Sequence, residues 1–185
     1  MRTIFYGIAS CIFSALLILS CSSQKQKSLP ASGGGEGIAL GELTVDRCLF
    51  YIEGENFRSK SGGDLDSKEG AYGKKCLGMR WGEKATDFVT YDINLDETAD
   101  PALMVIRAAF DNPIAQSYDI VLDDKIVQSA SLKPTGGYGY TEKEWNCFSI
   151  PLGRVGKGRH SLTIRPSKEH GGILNIDCIA IGKAG

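Results

Sequence analysis

Three carboxylates sit where the apolar pattern of the chain should bury them. In the stretch 171–182, GGILNIDCIAIG, Leu174, Ile176, Cys178 and Ala180 alternate with Asn175, Asp177, Ile179 and Ile181. That is the period-two pattern of a closing strand with one face in a core. Asn175 and Asp177 fall on one face of it. A carboxylate there needs a partner, because burying an unpaired charge is very costly. Near the other end of the domain, Tyr51-Ile52-Glu53-Gly54-Glu55-Asn56-Phe57 repeats the arrangement, with two carboxylates at i and i+2. The economical reading is that the first and last strands lie side by side and share a hard cation between Glu53, Glu55 and Asp177. Carboxylates solvated at strand ends, or paired with Arg or Lys, are the alternative.

The elements that must position these groups begin after a leader. Arg2 precedes an apolar run from Ile4 to Leu19, too short and too early for a spanning helix, which marks residues 1–20 as a signal peptide. The run ends Ile18-Leu19-Ser20-Cys21, which resembles the bacterial lipobox and implies that Cys21 becomes a lipidated first residue. An ordinary secretory signal cut elsewhere is the alternative. Several acyl chains on one terminus give firm anchoring. The expected location is therefore a bacterial membrane, the outer membrane foremost, on its periplasmic or surface face. Residues 21–37, rich in Ser, Gly and Lys without apolar periodicity, form a flexible tether. Residues 38–185 then suffice for one domain with a real core.

A net charge of -1 and a pI near 6.1 give no electrostatic reason to expect nucleic acid. The 23 glycines among 185 residues point to many turns. Past the leader there is no sustained helical periodicity. Short β-branched runs fall at 48–53, 87–95, 102–110, 117–122, 125–132, 146–152, 159–165 and 173–181. Asp123-Asp124 between two of them is a hairpin signal. The expected fold is an all-β sandwich or jelly roll of about eight to ten antiparallel strands.

The order of these segments carries a resemblance. Ile52-Glu53-Gly54-Glu55-Asn56-Phe57, then Asp87-Phe88-Val89-Thr90-Tyr91-Asp92-Ile93, then Met104 to Asn112, Tyr118 to Asp123, Gly158 to Ile164 and the terminal Asn175-Ile176-Asp177 are similar to carbohydrate-binding modules of families 6 and 35. The resemblance implies a galactose-binding-like β-jelly roll with a structural Ca2+ held by Glu53, Glu55 and Asp177. The chemistry agrees, since calcium takes six to eight hard oxygens in irregular geometry. It also implies a sugar site of two aromatic residues and an asparagine, because rings stack on the C–H face of a pyranose while amides meet hydroxyls. Asn175 matches the asparagine. Thr135-Gly136-Gly137-Tyr138 followed by Trp145 matches the loop motif and makes Tyr138 the stacking residue. Extra residues between Tyr138 and Trp145 allow Tyr140 to replace it. Tyr72 or Trp81 supplies the second ring. The implied ligand is an oligo- or polysaccharide, and polysaccharide-degrading enzymes are the implied neighbours.

Cys48, Cys76, Cys147 and Cys178 remain in the domain. Export permits disulfides, and the nearness of Cys48 and Cys178 to the first and last strands favours 48–178 with 76–147. Free buried thiols are the alternative. Catalysis is not expected. His160 and His170 lie near no nucleophile motif, and the acid pairs Asp64/Asp66 and Glu142/Glu144, which could serve a glycosidase in principle, fall in Gly- and Lys-rich turns. A different class of function is a jelly-roll interaction or scaffold domain without sugar binding. The two readings separate on whether Tyr138 or Tyr140 faces Tyr72 or Trp81 across an open cleft beside Asn175.

Overall fold

A computed structural model describes residues 40–167 and 172–185. The segments expected as signal peptide and tether, with Cys21, and His170 lie outside the described residues. The apolar runs become strands β1 (Cys48–Glu53), β5 (Phe88–Leu95), β6 (Ala99–Ala109), β7 (Gln116–Leu122), β8 (Lys125–Leu132), β9 (Asn146–Val155), β10 (Gly158–Pro166) and β11 (Asn175–Lys183). Three short strands join them, β2 (Ser59–Ser61), β3 (Asp64–Ser67) and β4 (Lys75–Gly78).

The strands form two antiparallel sheets packed as a jelly-roll sandwich. One sheet runs β3-β4-β11-β6-β9 with β1 also paired to β11, and the other runs β2-β5-β10-β7-β8. In β5 the period-two pattern is clear: Val89, Tyr91, Ile93 and Leu95 enter the core between the sheets while Asp92 and Asn94 face solvent. Each such buried aliphatic side chain stabilises the fold by roughly 1.5–3 kcal/mol. Among the described residues no helix is long and apolar enough to cross a membrane.

The first and last strands are neighbours, as the carboxylate pattern predicts. Tyr51 lies opposite Ala180, Ile52 opposite Ile179 and Glu53 opposite Cys178. The alternation expected along 174–181 is broken, however. The β11–β6 ladder sets Ile176 opposite Ala108 and Cys178 opposite Arg107, leaving Asp177 unmatched at a bulge. A bulged residue reverses the inward and outward faces beyond it. Leu174 and Ile176 lie in the main core, but Ile179 and Ile181 continue it. Cys178 and Ala180 turn to a second apolar cluster with Leu40, Leu43, Tyr51, Leu103 and Val105.

Asp123 and Asp124 both have positive φ, 49° and 65°, and join β7 to β8 as the tight primed turn that matches strand twist.

None of the four cysteines is disulfide-bonded, and the register explains why the expected pairing fails. Cys48 lies opposite Gly182 while Cys178 lies opposite Glu53, so the two occupy opposite ends of one ladder, about 17 Å apart along the strands. A disulfide needs Cα atoms within about 7 Å. Cys147 on β9 and Cys76 on β4 are separated by β6 and β11, about 14 Å at ordinary strand spacing. Burial pushes the Cys76 thiol up to about 12 and also raises Cys178. Both stay protonated and behave as small apolar side chains.

Candidate functional site

The β3–β4 hairpin and the loop 133–145 approach each other beside the outer face of the six-stranded sheet. Between them lies an open cleft of about 430 Å³ lined by Glu69, Gly70, Ala71, Tyr72, Tyr140, Thr141 and Glu142. Backbone bonds shape the hairpin tip: Lys68 N–H donates to Lys74 O at 3.1 Å, and Ala71 N–H to Lys68 O at 3.0 Å. The opposite wall is organised by the Glu144 carboxylate, which accepts from the Gly139 and Tyr140 amides, each at 2.9 Å, and from the Thr141 hydroxyl at 3.1 Å. Trp145 is buried beneath that wall against Ala71, Cys76 and Ala109, with its indole N–H on Gly139 O at 3.1 Å.

Two aromatic side chains of the cleft keep exposed surface. Tyr140 is 64% exposed and Tyr72 36%. Each ring carries a cation on one side. Lys68 Nζ stands 3.7 Å from the Tyr140 ring centre and is bonded to Asp66 at 3.0 Å. Arg107 Cζ stands 3.9 Å from the Tyr72 ring centre.

Arg107 and Asp177 form a buried ion pair under the hairpin tip. Arg107 also donates to Gly70 O at 3.1 Å, and its guanidinium lies 5.1 Å from the Trp145 ring centre. Asp177 Oδ1 accepts the Tyr72 amide at 3.0 Å. Burial lifts the Asp177 carboxyl to about 6, against the pull of Arg107 and the Tyr72 N–H.

The expected site residues therefore divide. Tyr72 and Tyr140 line one cleft. Tyr138 does not line it; the side chain is half-buried, with its hydroxyl donating to Asp111 O at 3.0 Å. Asn175 is 3% exposed, its Nδ2 donates to Tyr138 O at 2.8 Å, and its Oδ1 lies against the Gly78 backbone. It is an anchor for the loop, and no amide face remains for a sugar in the cleft. Trp81, expected as a second stacking ring, is wholly buried. It stacks on Tyr118 at 6.0 Å and 13° and donates to Phe88 O at 3.2 Å. The large apolar area of an indole in a core position outweighs any surface use.

Arg107 and Lys68 were not singled out by sequence. A signal existed for Arg107: it is the one charge inside the apolar run Met104-Val105-Ile106-Arg107-Ala108-Ala109, and a buried Arg is rare unless paired.

The carboxylates proposed for a cation fit it in part. The Glu53 and Glu55 side chains converge on Gly73, where a Cβ would stand 3.3 Å from Glu55 Oε1 and 3.7 Å from Glu53 Oε2. Glu55 Oε2 is buried without a hydrogen-bond partner, the condition of an oxygen suited to a hard cation. Asp177 sits one residue from Glu53's partner in the ladder, and its main-chain carbonyl accepts the Gly54 amide at 2.6 Å. Its carboxylate is turned to Arg107 and Tyr72. Among the described residues no three metal-binding side chains converge.

No family profile and no curated protein matches the chain. Among solved structures it is similar to the family 35 carbohydrate-binding module from Clostridium thermocellum, at 16% identity and TM-score 0.59, covering 72% of this chain and 97% of that one. It is similar to a family 6 module of the Cellvibrio mixtus lichenase 5A solved with cellotriose, at 18% identity and TM-score 0.58, covering 75% and 99%. An exo-β-1,3-galactanase from Phanerochaete chrysosporium matches at 15% identity and TM-score 0.55 over 71% of this chain, which spans only 28% of that enzyme. The domain thus has the jelly-roll sandwich of carbohydrate-binding modules.

Proposed function

We propose that the protein binds an oligo- or polysaccharide without cleaving it, and that the sugar stacks on Tyr72 and Tyr140. The observation that carries this reading is the pair of exposed tyrosines lining one open cleft on a scaffold shared with carbohydrate-binding modules. A phenol ring meets the apolar C–H face of a pyranose, and the Glu69 and Glu142 carboxylates accept from sugar hydroxyls as charge-assisted partners. The cleft volume lies within the usual range of small-ligand sites, about 300–1,000 Å³. That is room for a short stretch of a glycan.

A structural Ca2+ held by Glu53 and Glu55 belongs to the same proposal; the Asp177 carboxylate, expected as a third ligand, is instead engaged by Arg107 and the Tyr72 amide. The convergence of the two glutamates and the unsatisfied Glu55 oxygen support it. The leader and Ser20-Cys21 support export and lipid anchoring of Cys21 in a bacterial membrane, where the module would hold a polysaccharide near degrading enzymes.

The test is a glycan array with the full chain, repeated for Tyr72→Ala and Tyr140→Ala. Binding to one coherent glycan class, lost in both variants with unchanged melting temperature, is the expected result. A flat array from folded protein would favour the scaffold reading. That reading draws on the place beside Asn175, which the Tyr138 backbone fills.

A further inference from the structure

We infer that Arg107 is the positioning residue of the cleft: one buried guanidinium fixes both aromatic walls in the geometry a sugar meets. This rests on the carbohydrate reading above.

Four contacts converge on the hairpin tip. Arg107 donates to the Gly70 carbonyl at 3.1 Å and lies under the Tyr72 ring at 3.9 Å. It ion-pairs with Asp177, whose other oxygen accepts the Tyr72 amide at 3.0 Å. Backbone and ring of Tyr72 are thus held from the same side, leaving the opposite ring face to the cleft. The second wall follows from the first. A Cβ on Gly70 would run into the Thr141 carbonyl, so the tip and the 140–142 segment touch backbone to backbone. Trp145, which closes that loop through Gly139, sits over Arg107 at 5.1 Å.

The geometry needs Arg. Its planar, always-charged group stacks between rings and directs several N–H bonds at once, whereas the Lys ammonium is a compact point charge that cannot stack in that way. A rigid platform binds more tightly than a mobile one because less ordering is required on binding.

The experiment compares Arg107→Lys with the full wild-type chain and with Ile120→Val, a core variant remote from the cleft. Two quantities are read, the dissociation constant for the array-identified glycan and amide exchange over residues 69–73. The expected result is about a tenfold weaker Kd for Arg107→Lys, with faster exchange at 69–73. Ile120→Val should lose melting temperature and change neither. If Arg107→Lys does not fold, the pair Arg107→Met with Asp177→Asn removes both charges together and leaves none buried alone, and the same two losses are expected. Wild-type affinity and exchange in a folded variant would overturn the inference. A wild type that binds no glycan, while Arg107→Lys still loosens 69–73, would remove the sugar reading and leave the clamp standing.

Discussion

The side-chain amide of Asn175 donates to the backbone carbonyl of Tyr138 at 2.8 Å, tying the first residue of β11 to the loop that carries Tyr140. Asn175 is 3% exposed, so the bond is made in a dry place. Asn175→Ala removes the donor and leaves a carbonyl and a small cavity behind. The expected loss is about 1–3 kcal/mol, the usual cost of a stranded buried polar group, read from urea unfolding. Glycan affinity should fall in proportion to the loosened loop. If Asn175 instead touched sugar hydroxyls, affinity would fall with stability intact.

That bond also shows where sequence reasoning stops. The pairing of β1 with β11, the eight long strands and the Asp123-Asp124 hairpin were legible because alternation and turn chemistry are local. The β3–β4 hairpin was not. Its strands Asp64–Ser67 and Lys75–Gly78 are short, and Asp64, Leu65 and Ser67 face solvent. Yet this hairpin carries Tyr72. The bulge at Asp177 was hidden for the opposite reason: β11 is apolar on both faces, so a reversal of parity leaves no mark in the pattern. Trp81 was ambiguous because an indole serves a core and a sugar platform equally well. Tyr72 and Tyr140 were among the aromatic candidates, but the sequence could not say that they share a cleft whose lining does not include Asn175.

His160 gives the fold a pH dependence of definite sign. Its Nδ1 lies 2.7 Å from Asp123 Oδ2 and its Nε2 2.8 Å from Gly156 O. Two acceptors call for two donors, which only the imidazolium supplies. Burial pulls the pKa down, but the Asp123 and Gly156 bonds outweigh it, and the net shift is upward. A folded pKa above the unfolded one, about 6.5, means that this stabilisation is complete below about pH 6.5. It is lost as pH rises through the folded value. Unfolding free energy measured from pH 5.5 to 8.5 should therefore decline across that window. In His160→Gln the decline should be smaller. An identical slope in the variant would show that His160 is not its source.

Glu55 distinguishes a metal site from a strained carboxylate. Without calcium, Glu55→Gln replaces a carboxylate one of whose oxygens is buried with no hydrogen-bond partner, so its stability in chelator should equal or exceed that of the wild type. With calcium at about 100 times its Kd, the wild type should gain about 2.7 kcal/mol by mass action, and Glu55→Gln should gain much less. The crossing of the two stabilities between chelator and calcium is the signature, read by calorimetry in both buffers. Stabilities that never respond to calcium would remove the ion from the proposal.

The charge of the cleft bears on which glycan it admits. The two fully charged residues that line it, Glu69 and Glu142, are both carboxylates. Three nearby cations are already engaged. Lys74 Nζ is bonded to Glu69 at 2.6 Å, Lys68 to Asp66 at 3.0 Å, and Arg107 to Asp177. A uronate would bring a like charge to Glu142 without a free cation in the lining to receive it. Even in bulk water such a contact at about 4 Å costs on the order of 1 kcal/mol, and more where the cleft excludes solvent. A neutral oligosaccharide should therefore bind about tenfold more tightly than its uronate counterpart of the same linkage. The gap should narrow in high salt as screening shortens the reach of the charge, and Glu142→Gln should narrow it further. Titration calorimetry with the two matched oligosaccharides at low and high ionic strength measures both effects. Tighter binding of the uronate would mean that a cation reaches the cleft from another segment, and the charge-selection argument would fail.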